Sequence, residues 1–232
     1  MVKASVFLKL YHYCKPSALC LDINVEIWYN KSMIKVYYSF IDEPFLVANE
    51  IVENLPVCRR EYVNKITDPE KKKQSVIIWK LLEYALKDFA GNKNFIDADF
   101  YFDGKKFRIK NDPVYFSLSH SKGAFAVVIS ESPCATDIEI MSDKILRCER
   151  KILSLSGQKM PICELDKKNI LARIWTAYEC KIKSGGDYGV KFEKFKFSCN
   201  EYMLAYSGEN NLKSACLTRV SAEEFLSVQS LS

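Results

Sequence analysis

Phe116 to Met141, FSLSHSKGAFAVVISESPCATDIEIM, is the stretch whose reading decides the fold. Ala124 to Ile129 is an unbroken apolar run of β type, and Ser132-Pro133 breaks it. A second run follows, in which Asp137 and Glu139 alternate with Ile138 and Ile140. Strand side chains change face at every residue, so both carboxylates project from one face and both isoleucines from the other. Two carboxylates a few Å apart repel unless a cation lies between them or one takes up a proton. The alternative is an edge strand with a solvated acidic face, and these residues alone leave both open. Ahead of the apolar run, Ser117, Ser119, His120 and Ser121 read as a polar loop able to hold a phosphate through hydroxyls and an imidazole.

Working outward, Phe100 to Phe107 predicts a hairpin turning at Asp103-Gly104, with Lys105 just past the turn. Asp68-Pro69-Glu70 is a strong helix start, Asp as cap and Pro at the first helical position. That helix runs to about Ala90 with Ile78, Leu81, Leu82, Ala85 and Phe89 as its buried stripe. Lys71, Lys72 and Lys73 stand against the dipole at its N-terminal end, a conflict that a bound anion or full solvation would relieve. A second helix is expected from Glu164 to Ser184, buried through Leu171, Ile174, Trp175, Tyr178 and Ile182 and stopped by Gly185-Gly186. Glu179 and Lys183 are neighbours on it, which by itself suggests a surface ion pair. Val2 to Tyr13, Asn24 to Phe40, Lys191 to Ser198 and Met203 to Tyr206 read as strands, and Glu50 to Tyr62 as a helix interrupted near Pro56. Its Arg59-Arg60-Glu61 cluster reads as a solvated face.

The 232 residues suffice for one large domain or two small ones, and 48% apolar residues are ordinary for a soluble globular protein. A formal charge of +5 suits a nucleotide, a phosphorylated cofactor or an acidic protein and is too mild to argue nucleic acid. No apolar run approaches the roughly 20 residues of a membrane span. The first residues lack a convincing signal peptide, so a cytoplasmic location is expected. The nine cysteines form no CxxC pair and fit buried hydrophobes in a reducing compartment. With only His12 and His120 available, a zinc site is disfavoured and any general base is expected to be a carboxylate or lysine.

Taken together, Phe116-Ser-Leu-Ser-His-Ser121, Ala135-Thr-Asp-Ile-Glu139 and Trp175-Thr-Ala-Tyr-Glu-Cys-Lys-Ile-Lys183 resemble, in order, three motifs of the Sfp-like (surfactin-synthetase-activating) phosphopantetheinyl transferases. Weaker matches put Gly104-Lys105 on the family's Gly-Lys-Pro turn and the segment from Cys58-Arg-Arg to Leu82 on one containing D-x-x-R, so the resemblance covers roughly residues 50 to 200. Ala135-Thr136, Lys71, Lys106 and Tyr178 depart from the family pattern.

The resemblance implies an α/β (α+β) fold of two similar, pseudo-two-fold related halves, 1–115 and 116–232. Each would be a small, mostly antiparallel sheet packed with helices, with coenzyme A in the cleft between them. It implies Mg2+-dependent transfer of the 4'-phosphopantetheine arm of coenzyme A to a serine of an acyl or peptidyl carrier protein, releasing adenosine 3',5'-bisphosphate. Asp137, Glu139 and Glu179 would hold the metal. Glu179, directly or through a bound water, would be the base, with Lys183 orienting it or countering phosphate charge. Lys105, Ser119, His120 and, as a lesser helper, Lys71 would bind coenzyme A. A monomer acting without membrane or nucleic acid is expected. The competing class is a non-catalytic basic module for nucleic acid or another anion, which needs a basic face with interleaved exposed aromatics.

Overall fold

The computed structural model describes residues 33–42, 48–90, 99–110, 114–157, 166–209 and 212–226. Its elements are β1 (Lys35–Phe40), α1 (Asn49–Glu53), α2 (Val57–Asn64), α3 (Pro69–Ala90), β2 (Phe100–Phe102), β3 (Phe107–Ile109), β4 (Tyr115–Ser121), β5 (Ala124–Ser130) and β6 (Cys134–Ile140). There follow α4 (Asp143–Arg147), α5 (Glu149–Ser156), α6 (Lys167–Ser184), β7 (Val190–Phe197), β8 (Asn200–Gly208), β9 (Cys216–Arg219) and α7 (Ala222–Leu226). The fold is α+β, with a four-stranded sheet β4-β5-β1-β9, the β2-β3 hairpin and a three-stranded sheet β6-β8-β7. Among the described residues every strand pairing is antiparallel except that of β1 with β9.

The apolar run of β5 is continuous because both of its faces are covered. Phe125, Val127 and Ile129 pack with Tyr37 under α3, while Ala124, Ala126 and Val128 face the second sheet through Ile138, Leu204 and Tyr206. On the outer face of that sheet α6 lies across Met203, Ala205 and Ala135. The order of layers is therefore helix, sheet, sheet, helix. The expected division after residue 115 falls inside β4, and the four-stranded sheet takes β1 from one side of it and β4, β5 and β9 from the other.

Local signals read from sequence recur in the structure. Asp68 Oδ1 accepts from the amides of Glu70 (3.0 Å) and Lys71 (3.3 Å), capping α3. Of the lysines near its start, Lys71 stands 4.0 Å from Asp68 and Lys73 3.8 Å from Glu70, so acids of the same turn offset part of their conflict with the dipole. The hairpin turns at Asp103-Gly104 as expected, and the break at Pro56 separates α1 from α2. Val2 to Tyr13 lies outside the described residues.

Three expectations need correction. The Ser-His-Ser segment is strand β4 rather than a loop, joined to β5 by the two-residue turn Lys122-Gly123. Both turn residues have positive φ, as a tight hairpin of this kind requires. On α6 the packed face is Leu171, Ala172, Ile174, Thr176 and Cys180, and Ile182 is 62% exposed. Arg59 is buried at 5% exposure, whereas Arg60 is half-buried and Glu61 exposed, so the solvated-face reading of the α2 cluster fails at Arg59.

What joins the two sheets is a ladder of serines. β4 and β6 are edge strands of different sheets, yet the amides of Thr136, Ile138 and Ile140 donate to Ser117, Ser119 and Ser121 Oγ at 3.3, 3.2 and 3.2 Å. A constant offset of 19 residues makes the two strands run parallel. Side-chain oxygens thus satisfy edge amides that sheet hydrogen bonds would otherwise reach. Ser119→Ala is expected to lower unfolding free energy by about 2 kcal/mol, since it strands the Ile138 amide and removes a donor to Asp137. Urea denaturation checks this, and a loss below about 0.5 kcal/mol would contradict the ladder's structural role.

Candidate active site

The hydroxyls that accept from β6 also donate to its acids. Ser119 Oγ donates to Asp137 Oδ1 at 2.8 Å and Ser121 Oγ to Glu139 Oε2 at 2.9 Å. The matching period of two in S-x-S-x-S and D-x-E is what brings each serine to its carboxylate. Asp137 is 4% exposed and Glu139 half-buried, which excludes a solvated acidic face. Trp175 Nε1 donates to the other Glu139 oxygen at 3.3 Å.

α6 completes the group. Its Thr176 and Cys180 rest buried toward the sheet, which leaves Glu179 and Lys183 half-buried at the flank of that face. The pair expected between those two does not form. Lys183 Nζ turns to Asp137 Oδ1 at 2.6 Å and the Thr136 carbonyl at 3.1 Å. Asp137 Oδ1 therefore accepts twice, while Oδ2 is buried with no hydrogen-bond partner.

Burial and then the charge of Asp137 push the carboxyls of Glu139 and Glu179 above the usual glutamate range. The acids on the two elements thus repel one another through Asp137, and Lys183 lowers both in part. Hard oxygen donors under mutual repulsion, one of them a buried oxygen without a partner, are the chemistry a divalent cation such as Mg2+ satisfies. Against this, no three His, Cys, Asp or Glu side chains among the described residues converge closely enough to hold a metal ion, and the Lys183 ammonium already neutralises Asp137.

The expected cofactor residues divide. Ser119 is buried with its hydroxyl committed to Asp137 and Ile138. His120, next along β4, is exposed but recessed enough that lost hydration, then the positive charges of Lys183 and Arg59, hold its pKa below the ordinary value. Lys105 is exposed at the hairpin, its amide on Asp103 at 2.9 Å, and Lys71 is 75% exposed beside Asp68. Neither is drawn into hydrogen bonds or ion pairs with the acids.

Arg59 is not the surface residue its sequence neighbourhood suggests. Its guanidinium donates to the Ser75 carbonyl (2.6 Å) and hydroxyl (2.8 Å), and it lies 4.8 to 5.0 Å from the ring centres of Tyr62, Trp79 and Phe107. Its Nε is buried without a partner, and burial lowers its pKa to about 10. Among the described residues no carboxylate pairs with it. The Arg59 charge is close enough to lower the pKa of His120.

The nucleic-acid alternative finds its best strand in β7, where lysines and phenylalanines alternate. Phe195 stacks on Tyr38 at 4.4 Å and Phe197 on Phe40 at 4.9 Å, so these rings are committed to packing between β1 and β7. No helix among the described residues is long and apolar enough to cross a membrane. No protein-family model matches the chain, and no curated protein matches it either.

The raised acids give a pH signature. Glu139 and Glu179 keep their protons to higher pH in the folded chain than in the unfolded one, where a glutamate titrates near 4.5. The stabilisation from those protons is present below that pH and is lost as pH rises through the folded-state values. Metal-free Glu139→Gln, neutral throughout, is expected to melt higher than the parent at pH 7, with the gap closing on acidification toward pH 4.5. An equal or lower melting temperature at pH 7 would contradict the electrostatic reading.

Proposed function

We propose that this chain is a phosphopantetheinyl transferase, moving the 4'-phosphopantetheine arm of coenzyme A to a serine hydroxyl of an acyl or peptidyl carrier protein. The observation that carries the reading is the joining of three distant motifs: Ser119 and Lys183 both bond to Asp137 Oδ1, at 2.8 and 2.6 Å. The half-buried Glu139 and Glu179 stand against the same charge. Arg59 and His120 add cationic and hydrogen-bonding groups suited to the phosphates of coenzyme A, and Lys105 and Lys71 are exposed cations available to assist.

In the proposed step the serine oxygen attacks the phosphorus that bears the pantetheine arm. The bond from that phosphorus to the bridging oxygen breaks, and adenosine 3',5'-bisphosphate leaves. Glu179, directly or through a bound water, takes the serine proton as the carboxylate base of the site. Lys183 is a charge that can turn from Asp137 toward a phosphate oxygen. Asp137, Glu139 and Glu179 would hold Mg2+ only once Lys183 leaves Asp137 and the three carboxylates draw closer together than they stand here; the ion's chemistry when bound is to neutralise charge on the pyrophosphate. Ser119 and Ser121 orient the two β6 acids, and Trp175 fixes the second oxygen of Glu139.

All these groups come from one chain, so a monomer is the acting unit we propose. A cytoplasmic location goes with the reading; Cys58, Cys134, Cys148, Cys180, Cys199 and Cys216 are free thiols, as a reducing compartment allows.

Incubation with Mg2+, coenzyme A and an apo carrier protein is expected to add one phosphopantetheine to the carrier, read by mass spectrometry. No mass gain across a panel of acyl and peptidyl carriers would overturn the reading. Glu179→Gln is expected to lower turnover by about 100-fold or more without recovery at saturating Mg2+. Arg59→Gln and His120→Ala should weaken coenzyme A more than dephospho-coenzyme A in calorimetry, and equal losses would remove both from phosphate recognition.

A further inference from the structure

An open cleft of about 340 Å3 lies between the β2-β3 hairpin, the start of β4, the β5-β6 turn and the C-terminal end of α6. That is the small end of the range for ligand clefts. Its walls include Tyr101, Tyr115, Phe116 and Pro133, and its charged lining is Lys106 and Arg108. None of Arg59, Ser119, His120, Asp137, Glu139, Glu179 and Lys183 lines it, so it is separate from the acid site.

The two cations differ. Arg108 Nε is paired with Asp103 Oδ2 at 2.5 Å, and Asp103 is further committed to the amides of Lys105 (2.9 Å) and Lys106 (2.8 Å). Lys106 is half-buried, and among the described residues its ammonium bonds to the Lys183 main-chain carbonyl at 3.2 Å. A carbonyl accepts a proton but does not cancel a charge, and no carboxylate pairs with Lys106 among the described residues. Burial accordingly works against its protonated form. Among the described residues the cleft therefore carries one positive charge with no carboxylate bonded to it, that of Lys106, beside aromatic and apolar walls.

We propose that this cleft binds a small monoanion with a flat apolar body, an aromatic carboxylate, with Lys106 as its charge partner. One carboxylate matches the single free charge, whereas a phosphate monoester would bring a second negative charge with no partner. The half-exposed rings of Tyr101 and Tyr115 give the flat body its contacts. Because Lys106 holds the carbonyl of Lys183, an occupant of the cleft is also felt at the residue that neutralises Asp137. The proposal stands independently of the transferase reading.

Amide NMR of the isotope-labelled protein, without coenzyme A or Mg2+, tests it with benzoate, its neutral isostere benzamide, and phenyl phosphate. Benzoate is expected to shift the amides of Lys106, Phe107, Tyr115 and Cys134 and to bind about ten-fold more tightly than benzamide, the difference between a charge-assisted and a neutral contact. Phenyl phosphate should bind no more tightly than benzoate. Lys106→Met should abolish the preference for benzoate over benzamide. Equal binding of benzoate and benzamide by the parent, shifts confined to Arg59 and His120, or a preference that survives in folded Lys106→Met would overturn the proposal. The parent comparison decides even if that variant fails to fold.

Discussion

Three serine hydroxyls on β4 join the edges of two sheets whose faces pack through a shared apolar core. An edge strand needs partners for its amides, and β6 obtains them from side chains instead of a neighbouring backbone. A hydroxyl accepts and donates at once, so Ser119 and Ser121 also donate hydrogen bonds to Asp137 and Glu139. The contact that aligns the sheets therefore also aims the carboxylates. This couples position to chemistry: a change that slides β6 by one residue would unseat every amide and turn both acids toward the inter-sheet core.

Such an arrangement costs stability, because the acids are drawn together out of water. Lys183 offsets part of that by reaching Asp137, yet Glu139 and Glu179 still titrate high and Asp137 keeps an oxygen without a partner. Arg59 shows the opposite sign of the same condition, a buried guanidinium held by Ser75 and three rings rather than by an acid. Unmet acids and an unmet cation within one fold suit a ligand carrying both a cation and phosphates. Stability alone would favour replacing these groups by apolar ones.

Much of this was legible in the sequence because it depends on local periodicity. The alternation of Asp137 and Glu139 with isoleucines, the Asp68-Pro69 helix start and the Asp103-Gly104 turn are short-range signals, and each recurs in the structure. The misreadings concern partners distant in the chain. A serine-rich strand looks like a loop until β6 lies alongside it, since polar β4 side chains are useful only to a second edge. Glu179 and Lys183 are neighbours by helical spacing, but a buried aspartate 46 residues earlier is the better partner for Lys183. Arg59 reads as surface because nothing local announces Ser75, Trp79 and Phe107 around it. The stripe of α6 was misplaced toward large side chains, whereas the face that meets the sheet is built of smaller ones, Ala172, Thr176 and Cys180, which let the helix approach Ala135 and Ala205.

The central claim is that the acids braced by the serine ladder form a site for a divalent cation and a pyrophosphate together. Mn2+, which favours the same oxygen ligands as Mg2+, makes this directly countable by electron paramagnetic resonance of the free ion. With coenzyme A present, one Mn2+ per chain should leave the free pool, and Asp137→Asn should abolish that uptake. Uptake unaffected by the Asp137 substitution, or coenzyme A bound with no Mn2+ taken up, would contradict it.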